Sequence, residues 1–352
     1  MKLASVFSMT VLATVGLLGC SNQADNNTDG TSTNAQDTTT LRFSYYWPAT
    51  SNMNTEIFEP WAKKIEADSN GRLKVELYPS ATLSEPGVTY DATVKGIVDI
   101  GSQAHGFTSG RFPLTQMAEL PGLSSSATQM GCIVQTLYDN GTIASEYEDS
   151  HLLFAYGAGP GVLHTTNKPI KKPEDMKGLR MRHPSVVAAS LMENMGASPV
   201  GLPSNDIYTS LQRGVIDGLS LPWGAVETFK IDELVKYHTN ISFYSSAALV
   251  TMNKDKYNSL PNDLKKVIDD NSGMAMAKKA GKVLDDEDAV AMQNAKALGQ
   301  EVIDIPDPLN NPAWKGILLK GTQQYLDDVA ELGHDAQDVY QKTQAASAAC
   351  KV

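Results

Sequence analysis

LRFSYYWP (41–48), NTEIFEPWAKKIEADSNG (54–71) and RLKVELYP (72–79) follow one another near the start of the chain, and their periodicities set the architecture. The first is rich in aromatic residues and reads as a strand. In the second, Ile57, Phe58, Trp61 and Ile65 recur at helical spacing until Asn70-Gly71 closes the segment. The third alternates, with Leu73, Val75 and Leu77 on one face. A helix-like stretch over 86–94 and a strand in GIVDIGSQ (96–103) complete a βαβαβ order, the pattern of a sheet wrapped by helices.

The alternation continues downstream. LLFAYG (152–157) adds a strand, after which the chain is expected to leave a first lobe (about 41–157 and 247–285). A second lobe (about 158–246 and 300–345) is read from GLRMRH, SVVAASLMENMG, ASPVGL, SNDIYTSLQRG and VIDGLSLP as strand, helix, strand, helix, strand. Ser204 or Asn205 is positioned to cap the last of these helices, whose apolar face carries Ile207, Tyr208 and Leu211. AALVTMNKDKY (247–257) reads as a strand re-entering the first lobe. LPNDLKKVIDDNSG reads as a helix from Pro261, 272–300 as one long helix bracing both lobes, and EVIDIP as a last strand, with one or two closing helices over 312–344. Lobes of this kind bind ligands at the carboxyl ends of their strands, and two lobes joined by crossing strands turn that crevice into a hinged cleft.

Upstream, Lys2 and an apolar run to Leu18 read as a secretory signal over residues 1–19, and Leu17-Leu18-Gly19-Cys20 resembles the bacterial lipobox, which implies Cys20 as a lipidated first mature residue. Residues 21–40 hold no aromatic and no aliphatic larger than Ala, so 20–40 is expected to be a flexible tether. The formal net charge is −11, or −12 once Lys2 is removed. That acidity argues against nucleic acid, which needs Lys and Arg in excess. Cys132 and Cys350 either form a disulfide in an oxidising compartment or remain a buried thiol and a Cys near a frayed end.

Several segments resemble the extracytoplasmic solute-binding proteins of tripartite ATP-independent periplasmic (TRAP) transporters. They are RLKVELYPSATLS, VDIGS, KKPEDMKGLRMRHP, GASPVGLPSNDIYTSLQRGVIDG and LVTMNKDKYNSLP, which together cover most of 41 to about 310. The resemblance implies an α/β, two-lobed periplasmic-binding-protein-like fold with a hinged cleft and a long lobe-spanning helix. It also implies an organic-acid ligand, a membrane permease as partner, no cofactor and no catalysis. With the Cys20 anchor, the expected place is the periplasm, membrane-attached through lipid alone and as a monomer.

By position in MKGLRMRHP, the resemblance makes Arg182 the arginine that binds the ligand carboxylate. The physical reason is independent, because a planar guanidinium presents two parallel N–H donors to the two carboxylate oxygens. Arg180, two residues earlier, suits a solvated face. Many relatives continue the strand after DG with an Asn that meets a second polar group, whereas this chain has Leu221 there and Trp223 beyond. With Tyr46 and Trp47 ending the first strand, these residues point to an aromatic or otherwise hydrophobic monocarboxylate, ahead of a short hydroxy or keto acid and of a C4-dicarboxylate. His105 and Phe107, in the glycine-flanked loop SQAHGFTSGRF, are further candidate contacts.

Other classes are disfavoured by what is missing. GxSxG, HExxH, a P-loop and GxGxxG are absent, and the six His stand singly along the sequence, with no close pair to seed a metal site. A receptor that presents the ligand to a sensor would use the same binding residues as a transport protein.

Overall fold

The computed structural model describes residues 38–351, so the signal segment, Cys20 and the tether up to 37 lie outside the described residues. The chain enters its first strand slightly before 41. In order, the first part comprises β1 (Thr39–Tyr45), a π-helical turn (Met53–Phe58), α1 (Glu59–Asp68), β2 (Leu73–Tyr78), α2 (Thr89–Val94), β3 (Ile100–Ala104), α3 (Ala127–Asp139) and β4 (Ser150–Pro160). Next come β5 (Val162–Thr165), β6 (Arg180–His183), α4 (Val186–Asn194), β7 (Ser198–Gly201), α5 (Ile207–Gln212), β8 (Gly218–Leu221), α6 (Trp223–Thr228) and β9 (Tyr237–Ile241). The chain ends with β10 (Ser245–Asn253), α7 (Lys254–Ser259), α8 (Asn262–Asp270), α9 (Gly273–Ala297), β11 (Glu301–Ile305), α10 (Lys315–Glu331) and α11 (Ala336–Ala349).

These strands form two sheets, one per lobe. The first runs β2-β1-β3-β10-β4 and the second β11-β9-β5-β8-β6-β7. β1 is parallel to β2 and β3, whereas β10 runs antiparallel between β3 and β4. The sequence periodicity is visible in the first core. Leu41, Phe43 and Tyr45 pack with Ile57, Phe58, Trp61 and Ile65, and the Phe43 ring stands edge-on to Phe58 at 4.8 Å. Three connections cross between the sheets, one of them the long run α7–α9 that leads from β10 to β11 and the other two short. β4 passes into β5 with only Gly161 between them, and β9 reaches β10 through 242–244.

Helix α9 packs against α3 and β4 on one side and α6 on the other. Its 25 residues reach about 37 Å at 1.5 Å per residue, long enough to touch both lobes. Asp285 accepts hydrogen bonds from the backbone N–H of Ala127 (2.6 Å) and Thr128 (3.0 Å) at the start of α3. One turn later, Asp288 accepts from Gly224 N–H (2.7 Å) in the first turn of α6. A single turn of the brace thus satisfies otherwise unpaired N–H groups in both lobes.

Several local expectations are corrected. Neither Ser204 nor Asn205 caps α5, which begins after a 3₁₀ turn with no side-chain cap. Asn205 instead donates from Nδ2 to the Tyr46 carbonyl (3.1 Å), a bond between the lobes. Tyr208 is not part of the buried face with Ile207 and Leu211, because its hydroxyl reaches out to Glu233 (3.0 Å). Helix α3 and strand β5 had no assignment from sequence. At the C-terminal end β11 joins the second sheet and α10 packs on α4, but α11 packs on α3. There a Cys132–Cys350 disulfide closes a separation of 218 residues, deciding between the two readings of these cysteines.

Candidate functional site

The carboxyl ends of β1, β3, β6 and β8 converge between the sheets, where α6 and the start of β10 complete a small, closely lined cavity. Tyr46 and Trp47 enter it from the end of β1, Phe107 from the turn after β3, and Arg182 and Pro184 from β6. Leu221 comes from β8, Ala225 and Phe229 from α6 and the turn after it, and Tyr244 and Ser246 from the crossing into β10. This is where an α/β crevice gathers loops from both lobes.

Arg182 is fully buried. Its Nε donates to the Leu202 carbonyl (2.8 Å) and its Nη1 to the Ser220 carbonyl (3.0 Å), while Nη2 has no protein partner among the described residues. Of the five guanidinium N–H donors, two are thereby used to hold the group in place. Burial pushes its pKa down to about 10, partly offset by the facing phenols of Tyr244 and Tyr46, so the group stays cationic at neutral pH. Buried charges are ordinarily paired, because leaving one without a counter-ion costs several kcal/mol. No carboxylate among the described residues approaches it within ion-pairing distance, and it is the only cation lining the cavity.

The remaining walls are aromatic. Tyr46 stacks on Trp47 (5.0 Å), meets Phe107 edge-on (5.4 Å) and lies parallel to Phe229 with centroids 6.4 Å apart. The Trp47 indole donates to the Tyr156 hydroxyl (3.0 Å), which also pairs with Ser102 (3.0 Å), so this ring is fixed from behind. Burial pushes the Tyr46 and Tyr244 phenols up, leaving both as neutral hydroxyls. The Tyr244 hydroxyl and Ser220 Oγ lie near each other, yet neither reaches hydrogen-bond geometry with a protein atom. Such an arrangement offers one fixed positive donor and flat apolar faces.

Of the residues singled out from sequence, Arg182, Tyr46, Trp47, Phe107 and Leu221 are brought to this cavity, and two are not. His105 is fully buried behind it, paired through Nε2 with the Tyr147 hydroxyl (2.6 Å) and edge-on to Phe112. Burial lowers its pKa to about 4, so it is neutral. The glycine-flanked loop folds into a 3₁₀ turn that carries Phe107 forward and His105 back. Trp223 also points away, because β8 ends at Leu221 and α6 starts directly afterwards, turning the indole against His164 and His238. Those two histidines, far apart in sequence, meet with their Nδ1 atoms 2.7 Å apart, a pair that sequence spacing hides. Phe229, Tyr244 and Ser246 were missed; for Tyr244 and Ser246 the signal that would have found them is position, in the 242–244 crossing between the lobes and at the start of β10.

Among the described residues no group of three or more His, Cys, Asp or Glu is placed to hold a metal ion, and no helix is long and apolar enough to cross a membrane.

The signature of bacterial extracellular solute-binding protein family 7 matches residues 43–326. A TRAP solute-binding protein from an unidentified marine-metagenome microbe, specific for aromatic acid ligands and holding 3-hydroxybenzoate, is 32% identical with a TM-score of 0.84. The match covers 90% of this chain and 100% of that one. The Rhodoferax ferrireducens T118 protein with copurified benzoate is 31% identical (TM-score 0.81, 89% and 98% covered). A Bordetella bronchiseptica protein with bound (R)- and (S)-mandelate is 28% identical (TM-score 0.80, 89% and 100% covered). With two sheets, a long brace helix and a buried arginine at the interlobe crevice, the chain belongs to bacterial extracellular solute-binding protein family 7 and is a TRAP-type solute-binding protein.

Proposed function

We propose that this protein captures an aromatic monocarboxylate outside the cytoplasmic membrane and delivers it to a TRAP permease, anchored by a lipid on Cys20 and acting as a monomer. The observation that carries the ligand assignment is the cavity's composition, in which Arg182 is the one cation and Tyr46, Trp47, Phe107 and Phe229 are its walls. One guanidinium pairs with one carboxylate, and each charge-assisted bond contributes about 1.5–3 kcal/mol. A C4-dicarboxylate would leave its second charge against Leu221 and Pro222. The three neighbouring structures with 3-hydroxybenzoate, benzoate and mandelate support the same class.

No turnover is needed for this role. Differential affinity of open and closed forms for the ligand is sufficient to drive closure. The test is a thermal-shift and calorimetric screen of the purified protein against benzoate, 3-hydroxybenzoate, mandelate, pyruvate, lactate and succinate. A specific ligand raises the unfolding midpoint by mass action. Benzoate-type acids are expected to give the largest shifts, and a preference for succinate would sink the assignment. Mass spectrometry of the membrane-extracted protein tests the anchor, which requires a diacylglyceryl mass on Cys20.

A further inference from the structure

Tyr244 occupies a place that packing alone does not explain. It lies in the 242–244 crossing between β9 and β10, and its backbone carbonyl accepts a hydrogen bond from Gly161 N–H (2.9 Å) in the other short crossing, between β4 and β5. The two short hinge connections are therefore tied together at this residue. The ring lies against Gly161, where an added Cβ would fall 2.0 Å from Tyr244 Cε1, so residue 161 must lack a side chain for the ring to keep its place. Tyr244 lines the cavity together with Arg182, and its phenol faces the guanidinium with Ser220 Oγ nearby. The tyrosine side chain is only 1% exposed, its hydroxyl has no protein partner among the described residues, and Arg182 Nη2 is likewise unpartnered in the same cavity. A buried hydroxyl without a partner costs about 1–3 kcal/mol, comparable with what a bound acceptor would restore.

We propose that Tyr244 donates its hydroxyl to the same carboxylate that pairs with Arg182, so that the anion is held jointly by the second lobe and by the hinge. This rests on the carboxylate reading of the cavity and extends it. Arg182 sits on β6 of the second sheet, whereas Tyr244 belongs to the segment that bends when the lobes move. A carboxylate has about four lone-pair positions and accepts from both without competition. Binding would then fix the hinge directly as well as bring the lobes together. The hydroxyl acts as a neutral donor, since a phenolate would repel the ligand.

The experiment compares unmodified protein with Tyr244→Phe by calorimetry with benzoate and with 3-hydroxybenzoate. The substitution keeps the ring and removes one donor, so the Kd for both acids is expected to rise about tenfold or more. The melting temperature without ligand should not fall, and is expected to rise by about 1–5 °C because a buried hydroxyl without a partner is removed. An unchanged Kd would overturn the proposal. So would a rise confined to 3-hydroxybenzoate, which would make the hydroxyl a reader of the ring substituent. If the unmodified protein bound neither acid, the aromatic reading would fail instead, and the same comparison would be made with whichever of acetate, pyruvate or lactate it does bind. Should Tyr244→Phe fail to fold, ultraviolet difference spectra of the unmodified protein serve in its place. Cyclohexanecarboxylate, which has no aromatic absorption of its own, is expected to shift a tyrosine band in the unmodified protein that cyclohexanecarboxamide, which lacks the anion, does not shift. Equal spectra with the two compounds would overturn the proposal.

Discussion

The two ends of strand β6 carry the same side chain in opposite circumstances. At the outer end Arg180 is about half exposed and pairs with Asp217 (2.6 Å) at the surface. At the cleft end Arg182 is fully buried, fixed by two backbone carbonyls and left without a counter-ion. Both side chains project from one face of the strand, because residues two apart do so. The difference lies in what the tertiary structure sets opposite them. A solvated ion pair contributes little to stability, whereas a buried cation without a partner is tolerated where a ligand supplies the missing charge.

A second buried ionisable group sharpens the contrast. Glu146 is also largely buried, but its carboxylate accepts from Leu114 N–H (2.6 Å), Thr115 N–H (2.9 Å) and the Thr115 hydroxyl (2.6 Å). Every one of those bonds is internal, and the group organises a loop. Burial by itself does not mark a binding site. A buried cation that lines a cavity and has no counter-ion does.

The comparison can be broken most severely at Arg182. Arg182→Ala is expected to raise the Kd for benzoate at least 100-fold, roughly the loss of two charge-assisted bonds, measured by calorimetry. Arg182→Lys restores the charge without the fork and is expected to recover only part of this, leaving binding about 10–50-fold weak. Equal affinity with lysine would mean that the site needs charge alone.

Smaller effects test the apolar half of the cavity. Leu221→Asn places an amide where hydroxylated ligands would otherwise go unpaired, and should shift the Kd ratio of mandelate to benzoate in favour of mandelate by about 3–10-fold. Dependence on pH is expected to be slight, less than about threefold between pH 6 and 9. In that range the ligand is ionised, Arg182 remains below its pKa of about 10, and Tyr244 is neutral. Affinity should then fall as pH rises through 10 and the guanidinium loses its proton. A midpoint near neutrality would point to a different titrating group. The smallest effect belongs to Arg180→Ala, for which an unchanged Kd is expected. A tenfold loss there would erase the distinction between the ends of β6.

Much of the fold is legible along the chain because it rests on local periodicity. Phe43 and Tyr45 alternate into the core, Ile57, Trp61 and Ile65 keep helical spacing, and the 25-residue brace shows as a long Ala-, Met- and Lys-rich run without proline. Capping was less legible, since Asn205 is used between the lobes rather than at its own helix. The candidate site was partly legible. Arg182 was found through the family resemblance of MKGLRMRHP, Tyr46 and Trp47 through their place at a strand end, Phe107 through its glycine-flanked loop, and Leu221 because it stands where many relatives carry Asn. His105 and Trp223 were misplaced because a turn of one or two residues decides which way a side chain faces. Such turns depend on what packs behind them, here Tyr147 for one and the His164–His238 pair for the other.

Alone, the sequence determined the α/β architecture, the kinship and the arginine, since each is written in residue type at fixed spacing over short distances. Only the tertiary structure decided which polar groups remain without partners, because hydrogen-bond satisfaction is a property of residues brought together from distant positions. Arg182, Ser220 and Tyr244 meet through folding. The Cys132–Cys350 bond, spanning 218 residues, was open in the sequence for the same reason.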